Sequence, residues 1–456
     1  MRVLTTTLCY PTPAEPDRGI FIQRRAVALA RIGHDVDVIS PQPWCPLLRC
    51  GTGVPGSAAR LPAVADGSPV WLSEQISCQQ RDLLPTRYPR MFSIPVIGWA
   101  TDGFAYARAL YRAIADSRGA GRAPYDLIDA HFEYPDGVGA YLAGRRLGIP
   151  VVVTVRGKIV SLARKPGRRV QIRSMLRRVA GIIAVSESLA RCVREVAGDD
   201  LHVDVIPNGV DTSIFHPMDR DNARRQLGWD LRTRYVLAVG HLQRLKGFDR
   251  LIEVWPAVQN ACGDVRLVLV GSRRGESNFA AGLLADINRI NRTIHPPSAE
   301  PSIQKISNLR SQILFLGPQE PDRLNLMYNA ADVLANSSRS EGWCNAIAES
   351  LAAGTPVVAT DVGGNREQIR SPHLGIIVPD GDATSLGSAI VAALGRPWDR
   401  PAIAEAGARR SWQQVACEVQ AVFERVLASR PAAVRPRRTE ARPRRAAAAT
   451  IAEVPE

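Results

Sequence analysis

Residues 335–369 read ANSSRSEGWCNAIAESLAAGTPVVATDVGGNREQI, and the punctuation of this run decides how the chain folds. It opens as the end of a strand and breaks at Ser337, Ser338 and Ser340. Helix-favouring residues fill Asn345 to Ala353, Gly354 and Pro356 stop them, and an apolar strand follows from Val357 to Ala359. A helix opening just after Glu341 would aim its free N–H groups and the positive end of its dipole beside Gly342. That makes an anion site with a carboxylate at its mouth. Glu349 lies about 12 Å further along the axis, at 1.5 Å per residue. Carboxylate pairs that hydrolyse glycosides stand roughly 5 Å apart in retaining enzymes and under about 10 Å apart in inverting ones. Glu341 and Glu349 are therefore expected to hold opposite ends of one elongated ligand.

Outward from this run, the order of elements is that of parallel sheets. Upstream, VLAVGHLQRLKGFDRLIEVW begins as a strand ending in Gly240. A basic loop then presents Arg244 and Lys246, and Gly247 leads into a helix. Cations next to helix N–H groups suit a diphosphate. Further strands are predicted at Arg266 to Val270, Ile313 to Leu316, Val333 to Asn336 and Gly375 to Pro379. Near the N-terminus, strand Val3 to Thr7, helix Ile20 to Ile32 and strand Asp35 to Ser40 form a first β-loop-α-β unit. Helix Phe104 to Ala115, strand Asp126 to Phe132, helix Gly137 to Leu147 and strand Val151 to Val155 continue the pattern. His131 falls at the C-terminal end of its strand, where open parallel sheets bind ligands. Two literal motif matches fail on context. Gly51 to Gly56 fits G-x-G-x-x-G but follows a loop and contains Pro55. Asp35-Val36-Asp37 sits inside an alternating strand and reads as surface. The irregular stretch from Pro41 to about Gly103, with one expected strand at Val70 to Ser77, is long enough to carry function.

The run SEGWCNAIAESLAAGTPVVATDVGGNREQI resembles the E-x7-E element of glycosyltransferase family 4, the retaining, glycogen-synthase-like enzymes. DLIDAHFEYPDGVGAYLAGRRLGIPVVVTVRG and PNGVDTSIFHP resemble two further signatures of that family. The resemblance implies a GT-B fold, with two Rossmann-like parallel-sheet domains facing across a cleft. Acceptor binding belongs to residues 1–212 and nucleotide-sugar binding to 213–398, and a helix within 399–428 crosses back to the first domain. It implies transfer of a sugar from a UDP- or GDP-linked donor to a glycan or lipid-linked acceptor with retention, and neither a metal nor a cofactor beyond that co-substrate. Glu341 would hold the donor sugar and Glu349 the ribose. Gly342, Trp343, Cys344 and Asn345 would contact sugar and diphosphate, and Lys246 and Arg244 would clamp the phosphates. Gly19 would approach the diphosphate, and His131 would act at the sugar. The chain departs from the family in three places. Arg156-Gly157 stands where many members have His-Gly, His241 replaces an Arg, and Trp343-Cys344 is unusual beside Gly342.

Composition narrows the partners. The chain has 456 residues and a formal net charge of +14, enough length for two or three domains. No apolar run reaches the roughly 20 residues that span a bilayer. The start lacks a signal-peptide core, and eight scattered cysteines without a C-x-x-C point to reduced thiols in a cytoplasmic protein. Arg164 to Arg178 holds seven bases and no acid, and the Pro/Arg/Ala tail of 429–456 is expected to be disordered. A basic segment of this kind suits phosphorylated acceptors or an anionic membrane surface, and nucleic acid is not an expected partner. Two rival functions share these features: a sugar-nucleotide epimerase of the same fold, and a non-catalytic protein that binds membranes.

Overall fold

The computed structural model describes residues 1–45, 84–94, 100–119, 121–273, 276–294 and 312–429. The G-x-G-x-x-G match at 51–56, the expected strand at 70–77 and the tail from 430 lie outside these residues. Two all-parallel sheets dominate. The first runs, in spatial order, β4 (Thr86–Arg87), β2 (Asp35–Ile39), β1 (Arg2–Thr6), β6 (Leu127–His131), β7 (Val151–Val155), β8 (Gly181–Ala184) and β9 (Asp204–Val205). The second runs β12 (Ile313–Phe315), β11 (Val265–Val270), β10 (Arg234–Val239), β13 (Val333–Asn336), β14 (Val357–Thr360) and β15 (Gly375–Val378). A short parallel pair, β3 (Gln42–Trp44) with β5 (Arg90–Phe92), sits beside the first sheet.

Strands such as Val151–Val155 are buried along their whole length because helices cover both faces of a parallel sheet. Alternate residues serve the two sides. Leu4, Ile128 and Val153 pack against the helices Asp102–Gly119 and Pro166–Leu176. Val3, Leu127 and Val152 meet Trp412, Val419 and Phe423 of the last helix, Trp412–Ala428. That helix starts in a capping box of Ser411 and Gln414 and lies on the first domain. Its entry is pinned where the chain crosses between the sheets: Val210 N–H donates to the Arg410 carbonyl (2.9 Å), and Arg410 Nε donates to the Pro207 carbonyl (3.0 Å).

One reading of the sequence is corrected. Asp37 is buried, not surface. Because both faces of the sheet are covered, alternation does not expose it. Arg2 (2.9 Å) pairs with its carboxylate and the Tyr125 hydroxyl donates to it (2.6 Å). Another feature went unread: between β6 and the helix Val138–Leu147 lies a π-helical turn, Glu133–Gly137.

Candidate active site

The second domain supplies a charged wall. Its helix opens at Asn345 and runs to Ala352, with Cys344 in the N-cap position and no side chain capping it. This is later than the sequence suggested, and it leaves Glu341 to Trp343 free to reach across the cleft. Lys246, in the 3-10 turn after β10, places Nζ 2.6 Å from Glu341 Oε1, which also accepts from the Ser338 hydroxyl at 2.7 Å. Burial alone would lower the Lys246 pKa, but the Glu341 carboxylate outweighs it and holds the ammonium above its usual range. Arg244 opens the same turn. Its guanidinium lies 5.3 Å from the centre of the Phe279 ring and its backbone N–H donates to Glu276 at 3.1 Å. Glu349 accepts from the Tyr328 hydroxyl at 3.0 Å and lies 3.6 Å from Arg24 of the first domain. Burial raises its carboxyl pKa and Arg24 works against the rise. Burial also pushes the Cys344 thiol up to about 12, so this sulfur is a wall and not a nucleophile.

The first domain supplies a buried network. Arg25 Nη2 lies 2.9 Å from Asp129 Oδ1, and its Nη1 donates to the Thr154 hydroxyl at 2.8 Å. His131 Nε2 lies 3.3 Å from Asp129 Oδ2, and His131 Nδ1 accepts from Arg156 Nε at 3.0 Å. Burial drives the imidazole down to about 3, so it is neutral. His131 Nδ1 thus supports Arg156, while its Nε2 is buried without a hydrogen-bond partner. Arg156 Nη1 donates to Asn208 Oδ1 at 2.9 Å, and its Nη2 has no partner. Burial, then Arg25, lowers this guanidinium to about 9, and it remains a cation at neutral pH.

The walls meet backbone to backbone. A Cβ on Gly157 would stand 3.1 Å from Gly342 N, and one on Gly342 would stand 2.4 Å from the Arg156 carbonyl oxygen. Only glycine fits there. Trp343 packs against the hydrophobic core of the first domain. Asn208 Nδ2 donates to Asn345 Oδ1 at 2.9 Å, so a chain of hydrogen bonds runs from His131 through Arg156 to the helix at the charged wall. Glu367 accepts from Glu187 N–H (2.9 Å) and Ser188 N–H (3.0 Å), capping a first-domain helix, Glu187–Ala197, from the second domain. Gly19 packs closely against its own domain: a Cβ there would lie 2.0 Å from the Cys9 carbonyl oxygen.

Of the residues singled out in the sequence, Glu341, Gly342, Lys246, Asn345 and Arg156 are brought to one seam. Glu349 lies on the same helix as Asn345, His131 bonds to Arg156, and Arg244 is exposed beside Phe279. Asn208, Glu133, Arg24 and Glu367 were missed. Only Asn208 carried a signal, in the Pro-Asn-Gly signature that read as a turn.

Known proteins carry the same pattern. Residues 19–214 match the profile described as Glycosyltransferase Family 4, and residues 219–410 match Glycosyl transferases group 1. The D-inositol 3-phosphate glycosyltransferase of Acidothermus cellulolyticus is 31% identical over 337 residues, 67% of this chain and 68% of that protein. The chain belongs to glycosyltransferase family 4. The D-inositol 3-phosphate glycosyltransferase of Rhodococcus opacus is 30% identical over 311 residues, 64% of this chain and 65% of that protein. The chain thus spans about two thirds of the length of these curated relatives. Sucrose-phosphate synthase from Thermosynechococcus elongatus superposes with a TM-score of 0.67 at 19% identity, covering 94% of this chain and 100% of that one. Anabaena HepE, solved with UDP and glucose, gives 0.62 at 18%, covering 94% and 98%. These likenesses show the GT-B fold of the family.

Proposed function

We propose that this family 4 chain transfers a glycosyl group from a UDP- or GDP-linked sugar to a glycan or lipid-linked acceptor, with retention of configuration. The observation that carries the reading is the Lys246–Glu341 pair (2.6 Å) beside the uncapped N-terminus of Asn345–Ala352, facing Arg156 across the Gly157–Gly342 contact. Lys246 and the helix N–H groups would balance the charge of a departing diphosphate. Glu341 would face the positive charge that develops at the sugar, and Glu349 would hold the ribose. The names of the relatives and the UDP and glucose of HepE support a nucleotide-sugar donor. In the test, the melting temperature is measured with UDP, GDP, UDP-glucose and GDP-mannose, since a ligand of the folded state raises it by mass action. The anomeric configuration of the product then reports retention. No shift with any of the four would sink the reading. Epimerised donor formed without an acceptor would favour an epimerase.

A membrane-bound acceptor is supported by the surface beside the cleft. The helix Pro166–Leu176 exposes Arg169, Arg173 and Val170. Trp44, Phe92, Phe104 and Val160 of the same domain are exposed as well. Cations among exposed aromatics suit an anionic bilayer surface. No helix among the described residues is long and apolar enough to cross a membrane. Reversing charge at Arg168, Arg169 and Arg173 is expected to abolish co-sedimentation with phosphatidylglycerol vesicles at low salt. Failure of the parent protein to sediment at any salt concentration would end this part of the reading.

A further inference from the structure

One donor in the buried network of the first domain is left over. Arg156 follows β7 and is 9% exposed. Its Nε donates to His131 Nδ1 at 3.0 Å and its Nη1 to Asn208 Oδ1 at 2.9 Å. Its backbone N–H donates to Glu133 Oε1 at 3.3 Å, and its guanidinium carbon lies 5.0 Å from the centre of the Phe21 ring. These contacts fix the guanidinium plane, while the buried Nη2 has no partner. A buried donor on a cation is costly to leave unpaired, and an acceptor brought by a ligand would remove that cost.

The surrounding charges decide which kind of acceptor fits. Arg25 and Asp129 pair with one another at 2.9 Å, and His131 is neutral. Burial pushes the Glu133 carboxyl up to about 7, against the pull of Lys158, which leaves it partly protonated at neutral pH. Burial likewise drives Asp136 and Cys9 toward their neutral forms. The Arg156 guanidinium therefore lacks a full counter-charge, and an anion satisfies it better than a neutral hydroxyl. One uncompensated charge calls for a singly charged group, which a carboxylate is and a phosphate monoester at neutral pH is not.

Position decides which part of the ligand carries it. Arg156 precedes Gly157, whose backbone rests against Gly342, and Gly342 follows Glu341, the residue that holds the donor sugar in the transferase reading. Asn208 accepts from Nη1 and donates to Asn345, the first residue of the helix that would face the diphosphate. The guanidinium is thus tied from two directions to the sugar end of the donor. Glu341 is already neutralised by Lys246 at 2.6 Å, so an acidic sugar meets little repulsion from it.

We propose that Arg156 selects a nucleotide-linked uronic acid as donor, its Nη2 donating a charge-assisted hydrogen bond to the sugar carboxylate. The proposal rests on the transferase reading and names the class of sugar transferred. A histidine, which many family members have here, is mostly neutral above pH 7 and suits a hydroxyl, whereas an arginine suits a carboxylate.

The test takes dissociation constants from the ligand dependence of the melting temperature in two matched series: UDP, UDP-glucose and UDP-glucuronate, and GDP, GDP-mannose and GDP-mannuronate. In the series that the protein binds, the acidic sugar nucleotide is expected to bind about ten- to a hundredfold more tightly than its neutral counterpart. Arg156→His is expected to lose that preference at pH 8 while still responding to the free nucleoside diphosphate. Arg156→Lys keeps the charge and is expected to keep part of the preference, which a purely structural role for Arg156 does not predict. Should the variants fail to fold, the wild-type ratio carries the test. A preference that survives in a folded Arg156→His overturns the proposal. Equal wild-type shifts with acidic and neutral sugars sink the Arg156 assignment alone. If no compound of either series shifts the wild-type protein, the transferase reading falls and takes this proposal with it.

Discussion

On one side of the cleft, charge comes from a nearly continuous run, Glu341 to Glu349 with Lys246, and stays partly open to solvent. Across from it, Arg25, Asp129, His131, Glu133, Thr154, Arg156 and Asn208 come from four separate stretches and lie buried. The first wall pairs its charges at partly exposed positions, Lys246 with Glu341 and Glu349 with Arg24. The second uses its charges on one another, so that Arg156 and Glu133 are presented at fixed positions. Function and stability should therefore respond differently on the two sides.

The largest expected effect tests the open wall. Lys246→Ala should lower donor turnover by about a hundred- to a thousandfold while the melting temperature changes little. Next comes the buried wall. Arg156→Met leaves His131 Nδ1 and Asn208 Oδ1 without their donor and should cost about 3 kcal/mol in urea unfolding. If Arg156→Met melted like the wild type while Lys246→Ala unfolded, the contrast between the walls would collapse.

Acidity sharpens the comparison further. The folded pKa of His131 lies near 3 against 6.5, and that of Glu133 near 7 against 4.5. Between pH 4.5 and 6.5 the unfolded chain binds a proton at His131 that the folded chain does not, which makes stability rise with pH. Over the same range the folded chain binds a proton at Glu133 that the unfolded chain does not, which makes stability fall. Each effect amounts to about 1.4 kcal/mol per pH unit, and together they nearly cancel. Glu133→Gln should therefore gain stability relative to the wild type as the pH rises through this window, and His131→Asn should lose it. Parallel denaturation curves for all three proteins at pH 5 and pH 6.5 would contradict the buried assignment.

The smallest effect concerns the join. Glu367→Ala removes two charge-assisted hydrogen bonds to a helix start and should cost about 1 kcal/mol. Small-angle scattering should show a larger radius, and the donor KM should rise. An unchanged radius would mean that Glu367 does not hold the domains together.

The open wall was legible because its residues are neighbours in sequence. The serine break, the Glu341–Glu349 spacing and the Gly354–Pro356 stop all lie in one stretch, and Lys246 announces itself between a strand-ending glycine and a helix. Strands such as Val151–Val155 were read to the residue because their apolar runs have sharp ends. The buried wall was opaque for the opposite reason. Arg156 follows β7 and Asn208 follows β9, with β8 between them, and a single sequence does not reveal such long-range pairs. Periodicity likewise gave Asp37 to solvent, because it records which side of a strand is apolar and not what covers the other side. The contact of Arg244 with Phe279, from a later helix, was not visible from its position in the loop.

The paired glycines at 157 and 342 have a mechanical consequence. Because main chain rests on main chain there, the aperture between the two halves is set by atoms that every amino acid shares. Replacement of the side chains around the seam can thus retune which acceptor is admitted without altering how far the jaws shut. A methyl group at Gly342 would act as a spacer 2.4 Å from the Arg156 carbonyl oxygen, propping the jaws ajar.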